Sequence, residues 1–94
     1  MILRQGTRYL IDGPVTLDNV GELIAQGTTF EGDRVVVDLA SVTRADSSAL
    51  SLMLEWTRRL SGSGRQIAFA NLNPNLQSLV ALYGVADLIP VAAD

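Results

Sequence analysis

The stretch that most constrains this chain runs from Val35 to Leu60, VVVDLASVTRADSSALSLMLEWTRRL, with Asp46-Ser47-Ser48 at its hinge. The run Val35-Val36-Val37-Asp38-Leu39 is too short for a helix and too β-branched to prefer one, so it reads as a buried strand. A polar turn follows. Asp46, Ser47 and Ser48 then supply three consecutive side chains that favour helix starts, because each can accept a hydrogen bond from a first-turn N–H that has no helical partner. The pattern predicts a strand, a hinge and a long helix.

At about 100° per residue, Leu50, Met53, Leu54, Thr57 and Leu60 share one face of that helix, which is expected to meet the core. Ser48, Leu52, Glu55 and Arg59 fall opposite, with Trp56 on the flank, so the outward side carries apolar groups that need a reason. Two readings stand on the residues alone. In one, Ser47 is an N-cap and Leu52 one of the scattered apolar residues that any surface carries. In the other, the first turn and outward side, comprising Asp46, Ser47, Ser48, Leu52, Glu55, Trp56 and Arg59, form a docking surface for a partner.

Composition limits the chemistry. Ninety-four residues suit a single domain spanning 1–94, and 48% hydrophobic with 18% charged residues is the balance of a folded core rather than of a disordered chain. With no Cys and no His, disulfides, thiolate chemistry, most transition-metal sites and imidazole-based triads are excluded. A net charge of −3 argues against nucleic-acid binding, which relies on clustered positive charge. No apolar run approaches the roughly 18 residues of a membrane helix, and Met1 to Gly6 has no signal-peptide core, so a cytoplasmic location without direct membrane insertion is expected.

The rest of the chain fits around the central unit. Ile2–Arg4 and Arg8–Asp12 read as strands of a hairpin turning at Gly6, and Gly13-Pro14 is expected to stop the second strand. A short helix over Asn19–Gln26, capped by Asp18 or Thr16, carries Val20, Leu23 and Ile24 on one face, with Gly27 expected at its C′ position. Asp38 reads as a strand-end residue pairing with turn N–H groups, and Asp46 as an anion favoured by the helix dipole. The Ser61-Gly62-Ser63-Gly64 run follows a helix and lacks a phosphate-binding lysine, so it reads as an exit turn before a strand over Gln66–Ala70. Asn73-Pro74 starts a third helix that ends at Gly84, with Leu82 and Tyr83 expected to pack against neighbours. Val85–Val91 reads as a turn and a short edge strand. The sum is an α/β fold of two layers, a mixed four- to five-stranded sheet with helices on one face.

The span from VVVDLASVTRADSSAL to LVALYGVADLIPV resembles a STAS domain, the module of anti-sigma factor antagonists and sulfate transporter tails. In the antagonist branch the pattern is Asp-Ser-Ser/Thr-Gly-Leu, and the first hydroxyl residue, here Ser47 by position, is phosphorylated by a partner kinase. Ala49 stands where those antagonists carry Gly, whose lack of a side chain lets another backbone approach. LASVTRADSSAL and LVALYGVADLIPV are similar to the MlaB branch, the small STAS subunit of the Mla phospholipid transporter of Gram-negative bacteria. There the same hydroxyl position lies against the transporter's ATPase, although that branch usually carries Gly-Gly where this chain has Ser48-Ala49.

The resemblance implies a non-enzymatic accessory subunit that needs no cofactor and no metal. It would bind the cytoplasmic ATPase of a phospholipid ABC transporter, together with its permease, at the cytoplasmic face of the inner membrane. The alternative that it implies is an anti-sigma factor antagonist switched by phosphorylation of Ser47 by a partner serine kinase. A homodimer through an edge strand or through Leu52 and Trp56 is compatible with either, and a small-ligand or lipid-binding module is a third reading that requires a pocket.

Overall fold

Alternation along the strands decides which side of the sheet is covered. The computed structural model of the chain describes residues 1–92. Strands β1 (Ile2–Gln5) and β2 (Arg8–Ile11) form an antiparallel hairpin, with Ile2 opposite Ile11 and Gln5 opposite Arg8. Its turn passes through Gly6 at φ +64°, a left-handed conformation that glycine adopts without steric cost. After β3 (Gly13–Val15) and α1 (Val20–Gln26), β4 (Arg34–Asp38) lies parallel to β2. Strand β5 (Val42–Ala45) and helix α2 (Ser48–Gly62) then lead to β6 (Gln66–Ala70), parallel to β4, so the main sheet runs β1-β2-β4-β6. Tyr9, Ile11, Val35, Val37, Ile67 and Phe69 are all buried on one face, whereas their neighbours Leu10, Val36 and Ala68 are only half-buried. The fold is thus α/β, a mixed four-stranded sheet with helices over one face, as the sequence pattern implies.

Two strands come as a correction. Gly13-Pro14 does not simply end β2, and the turn after Leu39 is not merely polar: β3 and β5 pair in parallel as a separate two-stranded sheet. Pro14 sits at the irregularity between the paired positions Gly13–Val42 and Val15–Ala45, where its missing N–H interrupts no ladder bond. Strands of three and four residues are too short to display a period.

The larger correction concerns α2. Its buried residues are Ala49, Leu50, Leu52, Met53, Trp56 and Leu60. Leu50, Met53 and Leu60 face inward as expected, but the centre of the stripe is rotated by roughly 65° from the expected one, towards Ala49, Leu52 and Trp56. Leu52 and Trp56, expected outward, are each 1% exposed, so neither belongs to an external patch and neither can hold a homodimer together. The phase shifts because α2 is covered on two sides, by β6 and by α1.

Trp56 explains the geometry around α1. Its ring meets Phe30 edge-on at 4.8 Å between centroids, Phe30 meets Tyr9 at 4.5 Å, and the indole Nε1 donates to the Ile24 carbonyl at 3.3 Å. Gly27 is not the left-handed C′ residue expected: at φ −64° it continues into a 3-10 turn, Gly27–Thr29. Glycine is needed there for space, because a Cβ on residue 27 would overlap the indole. Neither Asp18 nor Thr16 caps α1 with its side chain, since Asn19 Oδ1 accepts from the Thr16 N–H and Asn19 Nδ2 donates back to the Pro14 carbonyl.

Helix α3 (Pro74–Leu82) starts as read, with Asn73 Oδ1 accepting from the Leu76 N–H at 2.8 Å, and Gly84 at φ +67° follows its end. Leu76 and Val80 are buried, but Leu82 and Tyr83 are 78% and 57% exposed, against the expectation that both would pack. The chain end forms a 3-10 turn, Ala86–Leu88, and then a single parallel bridge from Val91 to Phe69 in place of an edge strand.

Trp56→Ala is expected to destabilise the fold by about 3–5 kcal/mol, the range for emptying a large buried aromatic site. Gly27→Ala is expected to cost about 1–3 kcal/mol by overpacking the same contact. Urea unfolding followed by far-UV circular dichroism checks both, and a Gly27→Ala variant as stable as the parent would show that the indole has room to move.

Candidate partner-docking site

The hinge is built by Asp46. Its N–H donates to the Val15 carbonyl at 3.3 Å, extending the β3–β5 contact by one residue. Its carboxylate then accepts from two backbone N–H groups, Ser48 at 2.8 Å through Oδ1 and Leu17 at 3.1 Å through Oδ2. The Ala49 N–H closes the first turn onto the Asp46 carbonyl at 3.0 Å. Hydrogen bonds from Ser48 and Leu17 hold the Asp46 carboxyl below its ordinary value, because they favour the charged form. In physical terms Asp46, not Ser47, caps α2, and it clamps the loop before α1 to the same point.

Ser47 is thereby released. Its backbone is already helical, at φ −62° and ψ −14°, and its side chain makes no capping hydrogen bond. The residue is exposed on the rim of a groove of about 270 Å³ between α2 and the end of α3. Leu50, Ser51 and Leu54 line one side of the groove, and Tyr83 and Val85 the other. The Asn75 amide ties α3 to this end of the molecule by donating to the Ala45 carbonyl at 3.0 Å, one residue before the clamp.

Of the residues that the sequence singles out, Asp46, Ser47 and half-buried Ser48 therefore stand together at the surface. Glu55 and Arg59 lie two turns further along α2, where Glu55 accepts from both Arg58 and Arg59 at 2.6 Å. Those two bonds hold the Glu55 carboxyl below its ordinary value. Leu52 and Trp56 act only from inside. Missing from the sequence reading of the site are Ser51, Leu54 and Tyr83, which line the groove with Ser47. Leu54 and Tyr83 were assigned to the core by helical spacing, and a signal for the groove lay in the apolar Leu54 remaining once Trp56 is placed inward.

Asp38 takes the strand-end role expected of it. Burial pushes its carboxyl up, but bonds from the Asn71 amide at 3.0 Å and the Ala40 N–H at 2.9 Å outweigh this and leave it lowered. Asp38 and Asp46 each accept two N–H bonds that hold neighbouring segments in place. Among the described residues there is also no group of three His, Cys, Asp or Glu side chains able to hold a metal ion. What the arrangement offers is an exposed hydroxyl beside a groove of mixed polar and apolar lining.

Ser47→Ala is expected to change stability by no more than about 0.5 kcal/mol, as at an exposed position without a structural partner. Asp46→Asn is expected to destabilise clearly more, in a pH-dependent way. A carboxyl whose native value lies below its unfolded value stabilises above the unfolded value, near the usual 3.8 for aspartate, and loses that contribution as pH falls through the native value. The gap between parent and Asp46→Asn in thermal melts should therefore be full at pH 7 and narrow as pH falls below the ordinary carboxylate value of 3.8. Ser47→Ala destabilising more than Asp46→Asn would return the cap to Ser47.

The comparisons with known proteins fit this geometry. A family model described as "Mlab, STAS domain" matches residues 5–90. A STAS-domain containing protein of Pseudomonas aeruginosa (strain UCBPP-PA14) is 34% identical over 59 residues, which are 63% of this chain and 58% of that protein, so the match spans less than two thirds of the relative. Among solved structures, the anti-sigma factor antagonist SpoIIAA in its unphosphorylated form superposes with a TM-score of 0.74 at 14% identity, covering 100% of this chain and 88% of that one. The phosphorylated form of the Bacillus cell fate determinant SpoIIAA gives 0.70 at 15% identity, covering 100% and 91%. At such identities the structural likeness speaks for the fold, and the family match speaks for the lineage: the chain belongs to the STAS domain family.

Proposed function

We propose that this protein is a non-catalytic accessory subunit that binds the cytoplasmic ATPase of a phospholipid ABC transporter of the Mla type and supports its assembly and activity. The observation that carries the reading is the Ser47 hydroxyl, freed from capping by Asp46 and standing on the rim of the groove between α2 and α3. A surface that combines a small hydroxyl, half-buried aliphatics and an exposed tyrosine suits a close protein contact, since such interfaces join an apolar centre to a polar rim. The ATPase as partner is supported by the description of the matching family model and by the LASVTRADSSAL and LVALYGVADLIPV segments, Ser48-Ala49 being the departure from that branch's pattern. Among the described residues no helix is long and apolar enough to cross a membrane, so attachment to the inner membrane would come through the partner and its permease.

The docking surface in this reading is Asp46, Ser47 and Ser48 together with Ser51, Leu54 and Tyr83. Glu55 and Arg59 lie at its far end, and Leu52 and Trp56 support it from the core. A negative charge at Ser47 would have to be desolvated in the contact beside the Asp46 carboxylate. Co-expression with the ATPase and its permease, followed by affinity capture in mild detergent, is expected to recover the complex with the parent and with Ser47→Ala, and to lose most of it with Ser47→Asp. Undiminished capture by Ser47→Asp would remove the hinge from the interface.

The same exposed hydroxyl favours one other reading, an anti-sigma factor antagonist in which a serine kinase phosphorylates Ser47. Phosphate would add about −1.5 to −2 charge directly beside Asp46 and strain the clamp that holds the first turn. Incubation with a serine kinase of the anti-sigma type and ATP, followed by mass spectrometry, should then place a phosphate on Ser47. An unmodified protein excludes this reading.

A further inference from the structure

About 20 Å along α2 from Ser47, by the rise of the helix, a second and larger cavity opens. It has a volume of about 500 Å³ and lies where the first residues of β4 and β6 meet the last turn of α2 and the chain around Pro90. Its lining divides by chemistry. Val36, Ile67, Ala68 and Pro90 supply apolar surface, and Arg34 and Arg65 supply positive charge.

Neither guanidinium is neutralised within the described chain. Arg34 is exposed and makes no hydrogen bond or ion pair among the described residues. Arg65 donates Nε to the Gly32 carbonyl at 2.8 Å and Nη2 to the Phe30 carbonyl at 2.7 Å, which fixes its fork in place without a carboxylate partner. Of the five N–H donors of a guanidinium, three remain open on Arg65. The sheet edge adds another donor. The Gln66 N–H and the Ala70 carbonyl point towards β4, bonding to Asp33 and Leu39, so the odd-numbered residues of β6 point the other way. Phe69 uses that direction to pair with Pro90 and Ala92, but the Pro90–Ala92 segment does not continue the ladder to Ile67, whose N–H faces the free edge beside the cavity.

We propose that this cavity is a binding site for a medium-chain fatty acid, its carboxylate held by Arg34 and Arg65 and its chain laid along Val36, Ala68 and Pro90. The size agrees, since small-ligand pockets run from roughly 300 to 1,000 Å³. A single acyl chain fits such a space, whereas a two-chain phospholipid does not. Two guanidiniums at one site with no carboxylate partner among the described residues, in a protein whose net charge is −3, select an anionic head over a neutral or cationic one against the overall field. The site shares no lining residue with the Ser47 groove, so it holds whichever partner docks there.

The test is a two-dimensional ¹⁵N NMR titration of the full chain with octanoate, decanoate, decanol and decyl phosphate, each below its micellar concentration. The expected result is a saturable shift of the Arg34, Ile67 and Ala68 amides with decanoate, about fourfold tighter per added methylene across the acid series. Decanol should bind more weakly than decanoate, and Arg34→Gln, a surface change that leaves the amide spectrum otherwise intact, should weaken decanoate about fivefold to tenfold. Shifts centred elsewhere, an affinity that ignores chain length, or an Arg34→Gln variant that binds as the parent does would overturn the site. Decyl phosphate binding more tightly than decanoate would overturn the assignment of the head group to a carboxylate. Capture of the ATPase reads only the Ser47 face, so the two proposals fail separately.

Discussion

The packing of Trp56 over Gly27 is the contact on which the rest of the molecule depends. The indole is almost wholly removed from water between α1, α2 and Phe30, and it reaches that position only because residue 27 has no Cβ. With Trp56 and Leu52 turned inward, the rotation of α2 about its axis is set. Every other property of the helix follows from that rotation, including which side meets β6, which side meets α1, and which narrow strip from Ser47 through Ser51 to Glu55 is left towards solvent. The proposed docking surface is in this sense the remainder of a packing problem solved at the opposite side of the helix.

The Asp46 clamp does for the ends of the elements what Trp56 does for their faces. A single carboxylate joins the loop after β3 to the first turn of α2, and the Asn75 amide brings α3 to the same neighbourhood. Three segments that are far apart in sequence are thus held at one end of the molecule by hydrogen bonds to a charged group and to backbone carbonyls, which are stronger or more directional than apolar contact. The groove beside Ser47 keeps its shape because its walls are tied at this point.

Much of the architecture was legible before any coordinates. The Val35–Leu39 run, the hairpin at Gly6, the Asn73-Pro74 helix start and the strand at Gln66–Ala70 each carry a local signal, either a period or a residue with one strong conformational use, and each stands where it was read. The failures share a cause. Strands β3 and β5 exist only through each other, and no local pattern announces a pairing of three residues with four. The phase of α2 was ambiguous because Leu50 and Leu54 extend an apolar arc on one side while Leu52 and Trp56 extend it on the other. A helix wheel cannot choose between them without the neighbour that covers Trp56. Gly27 misled in the same way: its position after a helix fits a C′ glycine, but its real requirement is set by a side chain 29 positions later. The hinge at Asp46-Ser47-Ser48 was legible as a helix start, and the groove beside it was not, because its other wall comes from Tyr83 and Val85.

The division of labour between Asp46 and Ser47 bears on how such a protein changes over time. Where the capping residue is also the contact residue, each substitution that alters recognition must also be tolerated by the helix, and the two demands restrict one another. In the proposed reading they fall on adjacent positions. The first turn is held by Asp46, and Ser47 carries no bond that folding requires. A lineage built on this hinge can exchange residue 47, for a different partner or a different means of control, while its thermal stability barely registers the change.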